Sequence, residues 1–87
     1  DCLSMGIANK VVELDALSSE TKKWAEHLSK RSPQALSLTK KLMNDSITQS
    51  YDETFKAEAE AQNNIFGSDE NMEGVKAFLE KREPNFK

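Results

Sequence analysis

The stretch Glu73–Phe86, E-G-V-K-A-F-L-E-K-R-E-P-N-F, does most to decide the fold. Its first half carries apolar side chains at helical spacing, and the pair Lys81-Arg82 complements the negative end of a helix dipole. Pro84 cannot continue a helix, because proline lacks a backbone N–H and its ring clashes with the preceding turn. The stretch therefore predicts a final helix followed by a short non-helical tail.

Start and stop signals upstream of this stretch predict three further helices. A serine side chain at position 32 or 50 can accept a hydrogen bond from the free N–H groups of a helix start, and Pro33 fits a first helical position. Ser50 and Glu53 form a capping-box pattern, and Gly67 is a suitable stop because glycine adopts the left-handed conformation without strain. We expect the helices to follow Asp15, to run from Pro33 to between Asp45 and Gln49, to run from Tyr51 towards Phe66, and to follow Ser68 or Asp69.

Apolar spacing also predicts which face of each helix is buried. The glycine at position 74 costs a helix roughly 1 kcal/mol relative to alanine. We therefore expect another helix or a ligand to approach it closely, with simple tolerance of a weak position as the alternative. The predicted stripes are Leu17, Thr21, Trp24, Ala25 and Leu28; Leu36, Thr39, Leu42, Met43 and Ile47; Phe55, Ala59, Gln62 and Phe66; and Met72, Val75, Phe78 and Leu79.

The predicted fold class is all-α, with about four helices after a short extended N-terminal segment. Residues 7–12 are β-prone and favour a small strand or an extended segment, so residues 1–14 are assigned to an extended entry and residues 15–87 to a helical domain. Asp1 begins inside an apolar-spaced segment without a capping signal. We interpret this start as a cut through a longer chain, with tag removal or processing as the alternatives.

Composition limits the classes of function. The 87 residues make at most one domain, and 37% hydrophobic content is low for a free-standing globular domain, so a missing partner surface is expected. The net charge of −3, with cations and anions interleaved, argues against binding to nucleic acid. No apolar run approaches the roughly 20 residues that cross a bilayer, and no signal peptide is visible. The single cysteine, Cys2, excludes an internal disulfide and a zinc motif, which fits the cytoplasm or a mitochondrial matrix.

Four segments, in the same order along the chain, resemble the end of enoyl-CoA hydratases and isomerases, the crotonase family. One segment alone is a weak signal, and all four in the correct order are specific. The matching residues are Gly6-Ile7-Ala8-Asn9-Lys10-Val11-Val12; Ser32-Pro33, Ala35-Leu36, Thr39-Lys40 and Leu42-Met43-Asn44; Glu58 and Gln62; and Asp69, Glu73-Gly74, Ala77-Phe78, Glu80-Lys81-Arg82, Pro84 and Phe86.

The resemblance implies that this chain is the C-terminal helical trimerisation region that follows the spiral core of a crotonase-like enzyme. It implies an acyl-CoA thioester as substrate, a hydratase, lyase or isomerase reaction in fatty acid or related CoA-ester metabolism, and a homo-oligomer, either a trimer or a dimer of trimers. It also implies that the catalytic carboxylates and the N–H groups that hold the thioester oxygen precede Asp1. We therefore expect no catalytic residue, no metal, no cofactor and no activity in this chain by itself.

The resemblance implies a CoA contact at Phe78 and Lys81. An aromatic ring can line the pocket, and an ammonium group can pair with phosphate as a point charge. The alternative is that Phe78 belongs to the core and that Lys81 is a solvated helix end.

Other candidate residues favour structural roles, and one alternative function stays open. His27 and Cys2 lack the neighbours of a nucleophile, and Trp24 is interpreted as core or interface. The acidic side chains lack the spacing of a calcium loop, so caps and salt bridges are preferred for them. The alternative function is a free-standing helical module that binds acyl-CoA or a protein partner. The acidic residues in question are Glu53, Glu58, Glu60, Asp69, Glu70 and Glu73.

Overall fold

The computed structural model describes residues 1–87 and contains helices but no strand. The predicted all-α class with four helices is confirmed. None of the helices has both the length and the hydropathy that crossing a membrane requires. A 3-10 turn at Leu14–Ala16 leads into α1 (Leu17–Ser29), which is followed by α2 (Pro33–Asp45), α3 (Tyr51–Ile65) and α4 (Asp69–Glu80).

The helix boundaries are set by the capping side chains that the sequence indicated. The Ser32 hydroxyl accepts a hydrogen bond from the Ala35 N–H at 3.0 Å, with Pro33 in the first helical position. Ser50 and Glu53 form the predicted capping box, with hydrogen bonds of 2.8 and 3.2 Å. Gly67 adopts a φ of 82° between α3 and α4, where a side chain would be strained.

The N-terminal segment is extended over a shorter range than predicted. Residues 1–7 form successive turns, closed by hydrogen bonds from the Met5 N–H to the Asp1 carbonyl and from the Ile7 N–H to the Cys2 carbonyl. Residues 8–13 have no regular secondary structure. An ion pair of 2.6 Å between Lys10 and Glu20 ties this stretch to α1.

The α2–α3 pair is the most extensive helix contact. The face of α3 that is turned inward differs from the predicted one, and that of α2 shares only Leu42 with its predicted stripe. The prediction was wrong for α3, and largely wrong for α2, because each helix carries two apolar faces and the spacing does not say which one the rest of the chain covers. In α3 the small side chains face inward and allow close packing, whereas Phe55 is 64% exposed. The half-buried or buried residues are Gln34, Ala35, Leu38, Leu42 and Asp45 in α2 and Thr54, Ala57, Ala61 and Ile65 in α3.

The chain has almost no interior. Ala61 and Ala77 are the only buried residues. The accessible surface is 7707 Å², against about 5,200 Å² for a compact monomer of this mass. The radius of gyration is 16.8 Å, against about 12 Å for a compact domain of this length. The extents of 43 × 39 × 17 Å describe a flat slab. The apolar stripes of all four helices are therefore left largely without partners.

Gly74 lies in α4 beneath the ring of Phe86. A methyl group added at Gly74 would lie 3.9 Å from Phe86 Cε1, which is an ordinary van der Waals distance. No other helix approaches Gly74 in this chain, and its neighbour, the tail, leaves room for a side chain, which favours the alternative of simple tolerance.

We expect Gly74→Ala to raise the stability of the chain by about 0.5–1 kcal/mol, since alanine favours the helix and the space accommodates its methyl group. Thermal unfolding followed by circular dichroism measures this. Gly67→Ala is the matched control and should destabilise, because its φ is positive. A lower melting temperature for Gly74→Ala would mean that the methyl group clashes with a neighbour closer than Phe86.

Candidate functional site: the fourth helix and its tail

The chain reverses direction immediately after α4. Lys81 adopts a left-handed conformation, with φ 54° and ψ 42°. The N–H of Arg82 donates to the carbonyl of Ala77 at 3.0 Å, and the N–H of Lys81 donates to the carbonyl of Phe78 at 3.3 Å. This pattern ends a helix by satisfying its last carbonyls and turning the backbone away. It directs residues 82–87 back along α4.

Side chains hold the tail in this position. We call Glu73, Glu80, Arg82 and Asn85 the tail clasp. Arg82 donates from Nη1 and Nη2 to the two carboxylate oxygens of Glu73, at 2.6 and 3.1 Å. Its Nε donates to Glu80 at 2.6 Å, and the Asn85 N–H donates to Glu73 at 2.8 Å. Paired hydrogen bonds between a guanidinium and a carboxylate fix direction as well as distance.

The clasp changes the acidity of its members. Hydrogen bonds from Arg82, and then from the backbone N–H of Asn85, lower the pKa of Glu73 from 4.5 to about 2. The same bond to Glu73, with a smaller contribution from Glu80, raises the pKa of Arg82. Both groups therefore keep their charges at any pH near neutrality, so the ionic hydrogen bonds of the clasp do not depend on pH in that range.

A second polar contact joins α4 to the start of α2. One carboxylate oxygen of Glu70 accepts hydrogen bonds from the Ser32 hydroxyl and from the Gln34 N–H, the latter at 3.1 Å. An anion at this position suits the positive end of the helix dipole. Glu70 thus caps a helix other than its own and fixes how α4 meets α2.

Phe78 and Lys81 lie at the exposed end of α4. Phe78 is 83% exposed and helps to line an open hollow of about 410 Å³ between α4, the tail and the start of α2. Phe78 is therefore not buried by any part of this chain. Lys81 forms the C-cap, is exposed, and does not line that hollow. The two residues are neighbours along the backbone turn, and the structure does not bring them into one hollow.

A smaller hollow of about 230 Å³ lies beside Trp24, between α1 and the N-terminal segment. Pockets that bind small molecules commonly measure about 300–1,000 Å³, so this hollow is below their range. Glu20, at its edge, accepts hydrogen bonds from Lys10 and Lys23, which lower its pKa in that order of importance. Trp24 is about half exposed and so belongs to a surface of the chain.

The remaining candidates have no geometry suited to chemistry. His27 and Cys2 are exposed, and Cys2 is a free thiol. No group of three or more His, Cys, Asp or Glu side chains lies close enough together to hold a metal ion. The preference for caps and salt bridges is confirmed for Glu53, which closes the capping box, and for Glu73, which pairs with Arg82.

Comparison with known proteins identifies the family of this chain. The family model described as enoyl-CoA hydratase/isomerase matches residues 1–87. The chain belongs to the enoyl-CoA hydratase/isomerase family. It is 36% identical over 87 residues to a methylmalonyl-CoA decarboxylase of Escherichia coli strain K12. It is 34% identical over 86 residues to a crotonyl-CoA hydratase of Syntrophomonas wolfei. These matches cover 97% and 99% of this chain.

Solved structures of family members have the same backbone arrangement. An enoyl-CoA hydratase from Polaromonas sp. JS666 superposes with a TM-score of 0.94 at 28% identity, over 99% of this chain and 34% of that one. An enoyl-CoA hydratase from Bacillus anthracis gives 0.92 at 26% identity, over 99% and 33%. The chain spans about a third of the length of the curated relatives it matches.

Sequence reasoning did not anticipate two contacts that position α4. Glu73 and Arg82 were identified as motif residues, but their pairing depends on the chain reversal at Lys81. A glycine or an asparagine usually marks such a left-handed position in a sequence, and neither is present there. Glu70 was expected to form a cap or a salt bridge, but its partners in α2 could not be named because they lie 36 and 38 positions away along the chain. The sequence offered one signal for this pairing: Glu73 and Arg82 are oppositely charged, lie nine positions apart, and are followed by Pro84, which ends the helix.

We expect the clasp to open only in strong acid. Since the pKa of Glu73 is lowered from 4.5 to about 2, its stabilising contribution is complete above pH 4.5 and is lost as the pH falls through 2. The difference in unfolding midpoint between the natural chain and Glu73→Gln should follow that course in urea titrations. Glu58→Gln, which removes a carboxylate without a partner, is the control. A difference that disappeared near neutral pH would contradict the assignment.

Proposed function

We propose that this chain is the C-terminal helical region of an enzyme of the family that acts on acyl-CoA thioesters, and that it serves assembly of the oligomer and closure of the CoA site. The observation that carries the proposal is the folded-back end of α4. There Glu73 pairs with Arg82 and Gly74 lies beside Phe86, all of them residues of the terminal motif, within a chain that matches the family along its whole length.

The exposed surface supports the assembly role. An accessible area about half as large again as that of a compact monomer leaves room for extensive interfaces. Stacked aromatic rings such as Tyr51 and Phe55, which lie 6.3 Å apart, stand on that surface. Contiguous exposed apolar area marks interaction sites in proteins. We assign these faces to the spiral core of the same polypeptide and to neighbouring copies, in a trimer or a dimer of trimers.

The end of α4 supports a CoA contact. Phe78 presents a ring to solvent beside an open, mainly apolar hollow. Lys81 forms none of the six ion pairs in the chain, so its ammonium group is available to a phosphate. An acyl-CoA thioester carries both a flat aromatic base and phosphates, and these two side chains suit the two kinds of group.

The reaction itself is assigned to residues outside this chain. The two relatives above are named as a decarboxylase and a hydratase, and both resemble this chain to nearly the same extent. The helical region is thus compatible with different reactions on CoA thioesters. We propose that the carboxylates and N–H donors lie upstream and that the chain alone is inactive. The complete enzyme would be a lyase or an isomerase of fatty acid or related CoA-ester metabolism, in the cytoplasm or a mitochondrial matrix.

In the complete enzyme, we expect Lys81→Ala to weaken CoA binding about tenfold, because one charged contact with phosphate is worth about 1–2 kcal/mol. Isothermal titration with CoA measures the loss. Lys76→Ala is the matched control, since it removes an exposed cation of α4 that forms no ion pair. Equal affinities of the natural enzyme and Lys81→Ala would contradict the CoA contact.

We expect the isolated 87-residue chain to self-associate, because its apolar faces lack their partners. Sedimentation velocity at increasing concentration should show species larger than the monomer. Replacing both Tyr51 and Phe55 by serine should reduce the association, whereas Asp52→Ser, a polar neighbour on α3, should not. A strictly monomeric chain at roughly 100 μM, well above the micromolar range of ordinary association, would count against the proposal.

A further inference from the structure

We propose that Arg82 is a positioning residue for CoA recognition, acting through Lys81 without touching the ligand itself. This inference rests on the CoA contact proposed above. It concerns a different part of the molecule, namely the tail clasp that fixes where the end of α4 lies.

The first observation is the backbone at Lys81. A lysine with a φ of 54° occupies a region that residues with a Cβ rarely adopt. Such a conformation persists only where the surrounding structure enforces it. Lys81 is the one residue other than glycine in this region, so its placement depends on whatever holds the turn.

The second observation is that the contacts which hold this turn converge on Arg82. Its N–H donates to the carbonyl of Ala77, and its guanidinium donates to Glu73, to Glu80 and to the carbonyl of Glu83. Ala77, the backbone anchor of the turn, is 1% exposed and is the most buried residue of the chain. Arg82 directly follows Lys81 and is bound to a fixed point of α4. It therefore holds the chain in place on the far side of the turn.

The third observation is that the guanidinium is engaged along its whole edge. Three of its nitrogens donate to carboxylates at 2.6–3.1 Å, which leaves it little capacity for a phosphate. The ammonium of Lys81, by contrast, has no carboxylate partner. The two adjacent cations thus have separate roles. Arg82 is neutralised by carboxylates of α4 and holds the turn. Lys81, which forms the turn, is left exposed with a free ammonium group.

This division of tasks makes a specific prediction for the complete enzyme. Arg82→Gln removes the guanidinium that holds the turn, so we expect the dissociation constant of CoA to rise about three- to tenfold, no more than in Lys81→Ala. In a Lys81→Ala background the same substitution should add less than about twofold, because a residue that acts only through Lys81 has nothing left to position. Lys56→Gln, which removes an exposed cation of α3 without an ion pair, should leave CoA binding unchanged.

Arg82→Lys gives a second measure and serves where Arg82→Gln does not yield folded enzyme. Lysine keeps the charge but cannot reproduce the planar fork that binds both oxygens of Glu73. We expect an intermediate loss of CoA affinity and faster amide hydrogen exchange at positions 81 and 82. Activity at saturating substrate should change less than the Michaelis constant, since the reacting groups are not displaced.

The outcomes separate this inference from the proposed function. A loss of affinity in Lys81→Ala together with unchanged affinity in both Arg82 variants would overturn the positioning role alone. The same would follow if Arg82→Gln cost as much in the Lys81→Ala background as in the natural enzyme, because Arg82 would then act on the fold in general. Unchanged affinity in Lys81→Ala would overturn the CoA contact and the positioning role together.

Discussion

The pairing of Glu73 with Arg82 is the constraint on which the end of this chain depends. Its two hydrogen bonds of 2.6 and 3.1 Å connect the middle of α4 to the first residue after the turn. The turn at Lys81 could otherwise unwind, since a lysine gains nothing from a left-handed backbone. The position of Phe86 over Gly74 follows from the same pairing, because the tail must reverse at Lys81 to reach that point.

The other helices are joined by fewer and weaker restraints. Glu70 attaches α4 to the start of α2, and Lys10 attaches the N-terminal segment to α1 through Glu20. The ion pair of Lys10 is exposed, and pairs of that kind add about 0–1 kcal/mol. Few contacts within the chain therefore fix the relative positions of the helices, and the chain matches about a third of its relatives' length.

Local structure was predictable because its signals are local. Ser32, Ser50 and Gly67 act on backbone groups within three or four residues, so the number and limits of the helices could be predicted. The inward face of α3, and all but Leu42 of that of α2, could not be predicted, because each helix has two apolar faces and only packing selects between them. The tail clasp could not be predicted either, because the residue that forms its left-handed turn is a lysine and not the glycine that usually marks such a turn.

The slab-like shape has a consequence for how substitutions would act. With a thickness of 17 Å, little more than the roughly 10–12 Å of one helix with its side chains, the chain has two broad faces and no middle. An outward aromatic such as Phe55 contributes little to the free energy of the lone chain, and in the assembly proposed above it would contribute at an interface. Polar substitutions at such positions would thus slow or reduce assembly, by an amount that depends on protein concentration. The helix content of the lone chain would stay the same.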